Sequence, residues 1–404
     1  MNSSLTSHII SHSRRVLWYN RLKSEDSVLR GRHMYMRPSR RKKRRRLANL
    51  IILIAIIAAA AVGVFFLLSN FTDIELFSPL LKETETVLPQ SVQANENGIL
   101  YEEDGTLYLK DQKGGALWDL KLEPADAKYT QSPSLICTWS QANLQALSYT
   151  KEQLFTAAVA SDIIDVRCGK ETVAVLTGAA DESSGQTFYY LTLFNGKGEQ
   201  AGQIEFKTRQ VIDFGFTGDS DMLWSLSLDT SNVVPVSYIS TYKSDGSPTS
   251  SIENNTQVIE HVYVTSDTIF ASGTNNLFSY NYFGEKQGEA LIYGWKPEAW
   301  STGGAALELA YVPRGQEVSL PATKLFSGDL AERILYLPQK AFAVAVTQNQ
   351  FYVYTPNAVM TYQLSGELVK TTKLDYTLTA AKQLSDTLAV CWDKEGKSYL
   401  MQLN

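Results

Sequence analysis

Cysteine is scarce in this 404-residue chain: there are three, Cys137, Cys168 and Cys391. None stand in CxxC spacing, so neither a zinc-ribbon pattern nor a disulfide framework organises the fold. The three read as small buried hydrophobes, with a Cys137–Cys168 bridge as a pairing left open. Histidine is scarcer where it would matter. Of four histidines only His261 lies beyond residue 68, which leaves a transition-metal site almost without ligands. A Ser-His-Asp triad would have to use that same residue, and no GxSxG elbow is present. His261 sits in "VIEHVYV" and reads as a strand residue.

Charge is missing altogether from Leu47 to Leu68, 22 residues in which Asn49 is the one polar side chain. As a helix at 1.5 Å per residue this run would span roughly 30 Å, one hydrocarbon core. Lipid offers no partners to the backbone, so helix is the expected form. Seven consecutive bases, Arg40, Arg41, Lys42, Lys43, Arg44, Arg45 and Arg46, abut its start. Lys and Arg are retained on the cytoplasmic side, so the N-terminus is expected inside and the bulk of the chain outside. The block is therefore read as a topology signal facing the lipid bilayer, where each base adds about 1 kcal/mol of attraction to anionic headgroups. It is not read as a nucleic-acid site. Ala58 to Ala61 resemble a signal-peptidase site, but "VGVFFLL" prolongs the run beyond a usual signal peptide, so an uncleaved anchor is expected. No Cys follows the span to carry a lipid. Met34 and Met36 stand just before the basic block, and a start there would give a more compact anchor.

The charge split supports two compartments. Residues 1–46 carry 14 Lys/Arg against 2 Asp/Glu, and residues 69–404 carry 23 against 40, net +12 and −17 within an overall −5. Expected divisions are a basic cytoplasmic segment (1–46), the transmembrane helix (47–68), a stalk or leading strand (69–90) and a folded region from 91 to 404.

Sustained helical periodicity is also lacking beyond residue 90. Short β-rich runs alternate with Gly, Asn, Asp and Ser. "GILYEEDGTLYLKDQKGGALWDLKL" shows the unit: strands at Ile99–Tyr101, Leu107–Leu109 and Ala116–Leu122, with a hairpin turn at Asp104-Gly105. Comparable units follow, with Gly-bearing turns near 115, 198, 246, 284, 328 and 366, which lie 38–48 residues apart except for the gap from 115 to 198, which holds two units. That is the period of a four-stranded propeller blade. Eight units can be drawn, roughly 91–122, 123–160, 161–207, 208–256, 257–295, 296–338, 339–376 and 377–404. The last is one strand short. The leading segment could supply that strand and remove an open edge. The expected fold is an all-β, eight-bladed β-propeller after a single N-terminal transmembrane helix. Seven blades is the alternative, because the first two units are the least regular. "DIIDVRC", "VIDFGF", "VIEHVYV" and "AFAVAV" read as inner strands.

A basic block, one span, and repeats of the "LYxxDxxGxxLWxxxL" kind resemble a family of single-pass membrane β-propeller proteins from Gram-positive, clostridia-type bacteria. More loosely, the blades resemble the quinoprotein-like propellers, which include an outer-membrane assembly scaffold lipoprotein of Gram-negative bacteria. The resemblance covers about 340 residues, rests on blade texture, and implies a propeller outside the cytoplasm without assigning catalytic residues. Quinone binding in the quinoprotein enzymes uses a vicinal Cys pair and calcium, and no Cys-Cys occurs here.

Other motifs dissolve on inspection. Ser148-x-x-Lys151 and Ser240-x-x-Lys243 lie in strand-turn segments, where that spacing does not bring Ser and Lys together. Gly196-x-Gly198 is followed by strand rather than the helix that pyrophosphate binding needs. No acidic loop completes an EF-hand. Hence no catalytic residue, metal ligand or cofactor is assigned. Trp118, Trp139, Trp224 and Trp392 are expected to pack within or between blades. Trp295 and Trp300 flank "KPEA" in what reads as a connection between units, and form the candidate binding patch if exposed. The expected function is a non-enzymatic binding or scaffold module for envelope proteins. The alternatives are a hydrolase or lyase using paired channel carboxylates, and binding of a cell-wall glycan.

Overall fold

A computed structural model describes residues 81–403, except 181–186, 218–220, 232, 302–305 and 317. The basic segment, the apolar run and positions 69–80 lie outside the described residues. Among the described residues no helix is long and apolar enough to cross a membrane.

The described chain is thirty-two strands in eight four-stranded antiparallel sheets. Blade 1 holds β2 (Gln93–Asn95), β3 (Gly98–Glu103), β4 (Thr106–Lys110) and β5 (Ala116–Lys121). Blade 2 holds β6 (Lys128–Gln131), β7 (Ile136–Ser140), β8 (Asn143–Leu147) and β9 (Gln153–Ala158). Blade 3 holds β10 (Ile163–Cys168), β11 (Val173–Ala180), β12 (Thr187–Phe194) and β13 (Gln200–Phe206). Blade 4 holds β14 (Gln210–Phe216), β15 (Leu223–Asp229), β16 (Val236–Tyr242) and β17 (Pro248–Asn254). Blade 5 holds β18 (Ile259–Val264), β19 (Thr268–Gly273), β20 (Asn276–Asn281) and β21 (Lys286–Leu291). Blade 6 holds β22 (Trp295–Ser301), β23 (Glu308–Pro313), β24 (Ala322–Phe326) and β25 (Glu332–Tyr336). Blade 7 holds β26 (Ala343–Val346), β27 (Gln350–Thr355), β28 (Ala358–Gln363) and β29 (Leu368–Lys373). Blade 8 holds β30 (Leu378–Ser385), β31 (Leu388–Asp393), β32 (Ser398–Gln402) and, outermost, β1 (Leu81–Glu83).

The leading segment therefore supplies the missing strand, pairing Leu81 with Met401 and Glu83 with Tyr399. The four-stranded sheets, the closure and the blade number agree with the reading of the repeats. Asp104-Gly105 makes the expected two-residue hairpin, both residues at positive φ.

Period-2 alternation explains why the middle strands are almost wholly apolar. Each blade is covered on both faces by its neighbours, so odd and even residues enter different interfaces. In β27, Phe351 and Val353 pack toward blade 6, while Tyr352 and Tyr354 pack toward blade 8. In β11, Val173 and Val175 face blade 2, and Ala174 and Leu176 face blade 4. The described core accordingly divides into eight clusters, one between each pair of adjacent blades, including blades 8 and 1. A fully buried side chain of this kind contributes about 1.5–3 kcal/mol.

The turns from third to fourth strand repeat one geometry in blades 1 to 7. The first turn residue exchanges backbone hydrogen bonds with residues three and four further on, as in Asn195 with Gly198 and Glu199. The fourth position has positive φ, which glycine adopts without a Cβ penalty. At Gly198 a Cβ would also lie 2.7 Å from the Phe155 ring, so both backbone and packing require glycine there. Blades 2 and 6 place Lys151 and Leu330 at this position instead.

Candidate binding site at the channel mouth

The first strand of each blade is innermost, and successive inner strands touch around the ring: β22 with β26, β26 with β30, β30 with β2, β2 with β6, β6 with β10 and β10 with β14. All run in the same sense, so one face of the ring gathers their starts and the other their ends. β10, β14, β18 and β22 each carry a one-residue irregularity against their neighbour, after Ile163, Val211, Ile259 and Pro297, and β30 carries two, after Leu378 and Gln383. Such a bulge re-aims the residues around it. It also explains how Pro297 is tolerated, since an inner strand is a sheet edge and a bulge relaxes the ladder.

At the end face, a cavity of about 560 Å³ opens between β2, β22 and β30. Asn95, Glu96, Glu298, Trp300, Leu384 and Asp386 are among its lining residues. Its back is set by the Gln383 amide. The Gln383 nitrogen donates to the carbonyls of Val346 (2.9 Å) and Trp300 (3.0 Å), and its oxygen accepts from the Val346 N–H (2.9 Å). One side chain thus joins the inner strands of blades 6, 7 and 8. On the blade 1 side, Asn95 donates to the Ser132 carbonyl (2.9 Å) and to the Tyr149 hydroxyl (2.5 Å), which donates in turn to Ser132.

The structure places Trp295 and Trp300 in one strand, β22, rather than in a connection, and does not bring their rings together. Trp295, at the start, is half-buried against the blade 5–6 cluster, with the Lys324 ammonium 5.3 Å from its ring centre. Trp300, near the end, is 50% exposed and lines the mouth cavity. Its ring is braced by Tyr263 of β18, centroids 5.5 Å apart and tilted by 53°. Hence the one indole that borders the cavity is held in place while half its surface faces water.

A second polar arc, not anticipated from the sequence, lines blades 3 to 5. Asp165 of β10 pairs with Arg167 at 2.7 Å, and Arg167 reaches Asp213 of β14 at 3.8 Å while its guanidinium lies 5.5 Å from the Phe214 ring centre. Each aspartate accepts the next residue's backbone N–H at 2.9 Å. Burial pushes the Asp213 carboxyl up, opposed by Arg167, the Phe214 N–H and His261. His261 is exposed on β18. Next to it, Glu260 pairs with Arg314 at 2.5 Å. The signal was a shared Ile-Asp in "DIIDVRC" and "VIDFGF", carboxylates inside otherwise apolar strands.

Among the described residues Glu308 is the other carboxyl that burial raises, to about 7, with Arg333 and Ser327 pulling down and Asp329 pushing up. Its residue is 7% exposed, and its Oε2 has no hydrogen-bond partner among the described residues. Asp213 and Glu308 belong to different blades, and neither lines the mouth cavity. Among the described residues no two carboxyls raised by burial converge there. The Ser148 hydroxyl bonds Thr150 while Lys151 reaches the Asp119 carbonyl, so this Ser and Lys point to separate partners. Among the described residues no group of three or more His, Cys, Asp or Glu is arranged to hold a metal.

No family model matches the sequence, and no curated protein matches it. Solved structures do match. The WD40 domain of SCAP from fission yeast superimposes with a TM-score of 0.54 at 12% identity, covering 80% of this chain and 97% of that one. A eukaryotic initiation factor gives 0.51 at 11% identity, over 81% and 91%. BamB from Moraxella catarrhalis gives 0.48 at 10% identity, over 80% and 100%. The two likenesses above 0.5, at 11–12% identity, show the fold alone.

Proposed function

We propose that this protein is a single-pass, membrane-anchored propeller held outside the cytoplasm, a non-enzymatic module that binds an envelope protein at the end-face mouth of its channel. The anchor and its orientation rest on the apolar run 47–68, the basic block 40–46 before it, and the acidic excess after it. The clostridia-type membrane propeller family resembled by the sequence has the same layout.

The observation that carries the binding reading is Trp300. A half-exposed indole on a rigid strand, braced by Tyr263 and bordering a 560 Å³ cavity, presents apolar area that a partner can cover at little entropic cost. Glu96, Glu298 and Asp386 around it favour a partner with basic or hydrogen-bond-donating groups. A second reading, a cell-wall glycan, is favoured by the same indole beside carboxylates, since a sugar ring stacks on an indole while carboxylates accept from its hydroxyls.

A photo-crosslinking residue in place of Trp300, activated in intact cells, is expected to capture a discrete protein that is not captured from Phe283, an exposed residue in a blade 5 turn. Capture of glycan fragments instead supports the second reading. Identical products from both positions would remove the mouth as the binding site. Protease added to intact cells is expected to digest the propeller. Protection until lysis would reverse the proposed orientation.

A further inference from the structure

Cys137 lies mid-strand in β7 of blade 2 and is fully buried. Cys168 is the last residue of β10 in blade 3 and is partly exposed. The two strands touch across the blade interface, and Cys168 packs onto the cluster that contains Cys137. Cys391 is buried in the blade 7–8 interface, among Tyr354, Tyr399 and Met401. Two of the three cysteines, 31 positions apart, are thus neighbours in space, and the third is isolated.

We infer that Cys137 and Cys168 form a disulfide in the exported protein, tying blade 2 to blade 3, and that Cys391 stays a free thiol. The inference rests on the extracytoplasmic reading above, because thiols outside the cytoplasm meet disulfide-bearing oxidants. The chemistry is an exchange with a small-molecule or protein disulfide. The accessible Cys168 thiolate attacks one sulfur of the oxidant, forming a mixed disulfide and releasing one thiol. The Cys137 thiolate then attacks the Cys168 sulfur, expelling the second thiol. Two protein thiols are oxidised, one external disulfide is reduced, and the two protons end on the released thiols. Cys168 takes the first step because it is reachable. Burial pushes the Cys137 thiol well up, which suits it to the intramolecular step alone.

The test uses the full-length chain, purified under reductant, exchanged into glutathione disulfide, quenched with an alkylating agent and digested with trypsin. The expected product joins the peptide 129–151 to the tripeptide 168–170, two daltons lighter than the sum of the reduced pair, with Cys391 alkylated only after denaturation. Removing the bond with reductant is expected to lower Tm by roughly 5 °C. Cys168→Ser, a change at a partly exposed position, is expected to abolish that sensitivity. A glutathione adduct on 168–170 with Cys137 still reduced would overturn the pairing. The same peptide map on protein alkylated inside intact cells locates the bond in the organism. Pairing in vitro with reduced cysteines in cells, together with protection of the propeller from external protease, would overturn the location and leave the pairing standing. Reduced cysteines in a propeller that external protease does digest would overturn the inference itself.

Discussion

Blade 8 and blade 6 are built from the same four-strand plan, yet they treat their polar groups in opposite ways. Blade 8 is assembled from both ends of the folded region and pairs the polar groups that it buries at its seam. The Ser398 hydroxyl meets the Thr84 hydroxyl at 2.6 Å and accepts the Leu88 N–H at 2.8 Å. The Trp392 indole donates to the Leu88 carbonyl at 2.7 Å, and Tyr399 donates to Asp393 at 2.7 Å. Blade 6 instead buries a carboxylate oxygen of Glu308 without a partner among the described residues, and leaves Trp300, Ile334 and Tyr336 exposed. The contrast separates two demands. A ring must be fastened once, and satisfied hydrogen bonds fasten it. A recognition surface must keep apolar area uncovered, and that region forgoes some stability.

The sharpest way to break this contrast is to unfasten the seam. Internal deletion of residues 81–84 removes the β1 ladder, the buried Leu81 and the Thr84 hydroxyl bonds, and leaves β32 as an open edge. The expected loss is about 5 kcal/mol, with aggregation through the exposed edge. Denaturation midpoints and light scattering would show both. A deletion that leaves the midpoint unchanged would mean that blade 8 closes nothing. Ser398→Ala probes the same seam more gently. It strands the buried Leu88 N–H and is expected to cost about 2 kcal/mol, read from urea unfolding.

Blade 6 is probed through pH. The Glu308 carboxyl sits at about 7 in the folded protein against an ordinary 4.5. Between those values the folded state holds a proton that the unfolded state has released, so this group's contribution to stability falls as pH rises and is lost above pH 7. Allowing for solvent screening, the drop is about 1–2 kcal/mol. Glu308→Gln is expected to leave stability at pH 5 nearly unchanged and to raise it at pH 8 by that amount. Urea midpoints at the two pH values decide it. Parallel pH profiles for the two proteins would show that Glu308 is not the strained group of blade 6.

The repeat was legible because its markers are local. Glycine at the positive-φ turn position recurs in five of the first seven blades, and the middle strands alternate toward two interfaces. Blade 2 blurred the count, since Lys151 replaces glycine at its turn. Closure could be anticipated because the last unit lacked a strand and the leading segment was at hand. The inner strand of blade 6 was misplaced as a connection, because Gly294, Pro297 and two charges in "GWKPEAW" mimic a loop, and a bulge at an edge strand carries no mark in the sequence. The Asp165–Arg167–Asp213 arc, and the Gln383 amide that clips three inner strands, depend on neighbours from different blades. Such contacts are properties of the closed ring, and no local pattern announces them.

The smallest expected effect is also the one that distinguishes surface from scaffold. Trp300→Ala removes a tilted ring contact with Tyr263 and uncovers part of the half-buried face beneath it. An aromatic pair of this kind contributes about 0.5–1.5 kcal/mol, so the variant is expected to lose about 1 kcal/mol and remain folded at ordinary temperatures. The Gln383 bond to the Trp300 carbonyl survives the substitution, because it uses the backbone. Partner capture at the mouth, by contrast, is expected to fall at least tenfold, since the exposed face of the indole is the apolar area on offer. A loss of several kcal/mol would place Trp300 with the fastening residues of blade 8, and the division between the two blades would fail. Near-normal stability with capture abolished is the outcome that a held but uncovered indole requires.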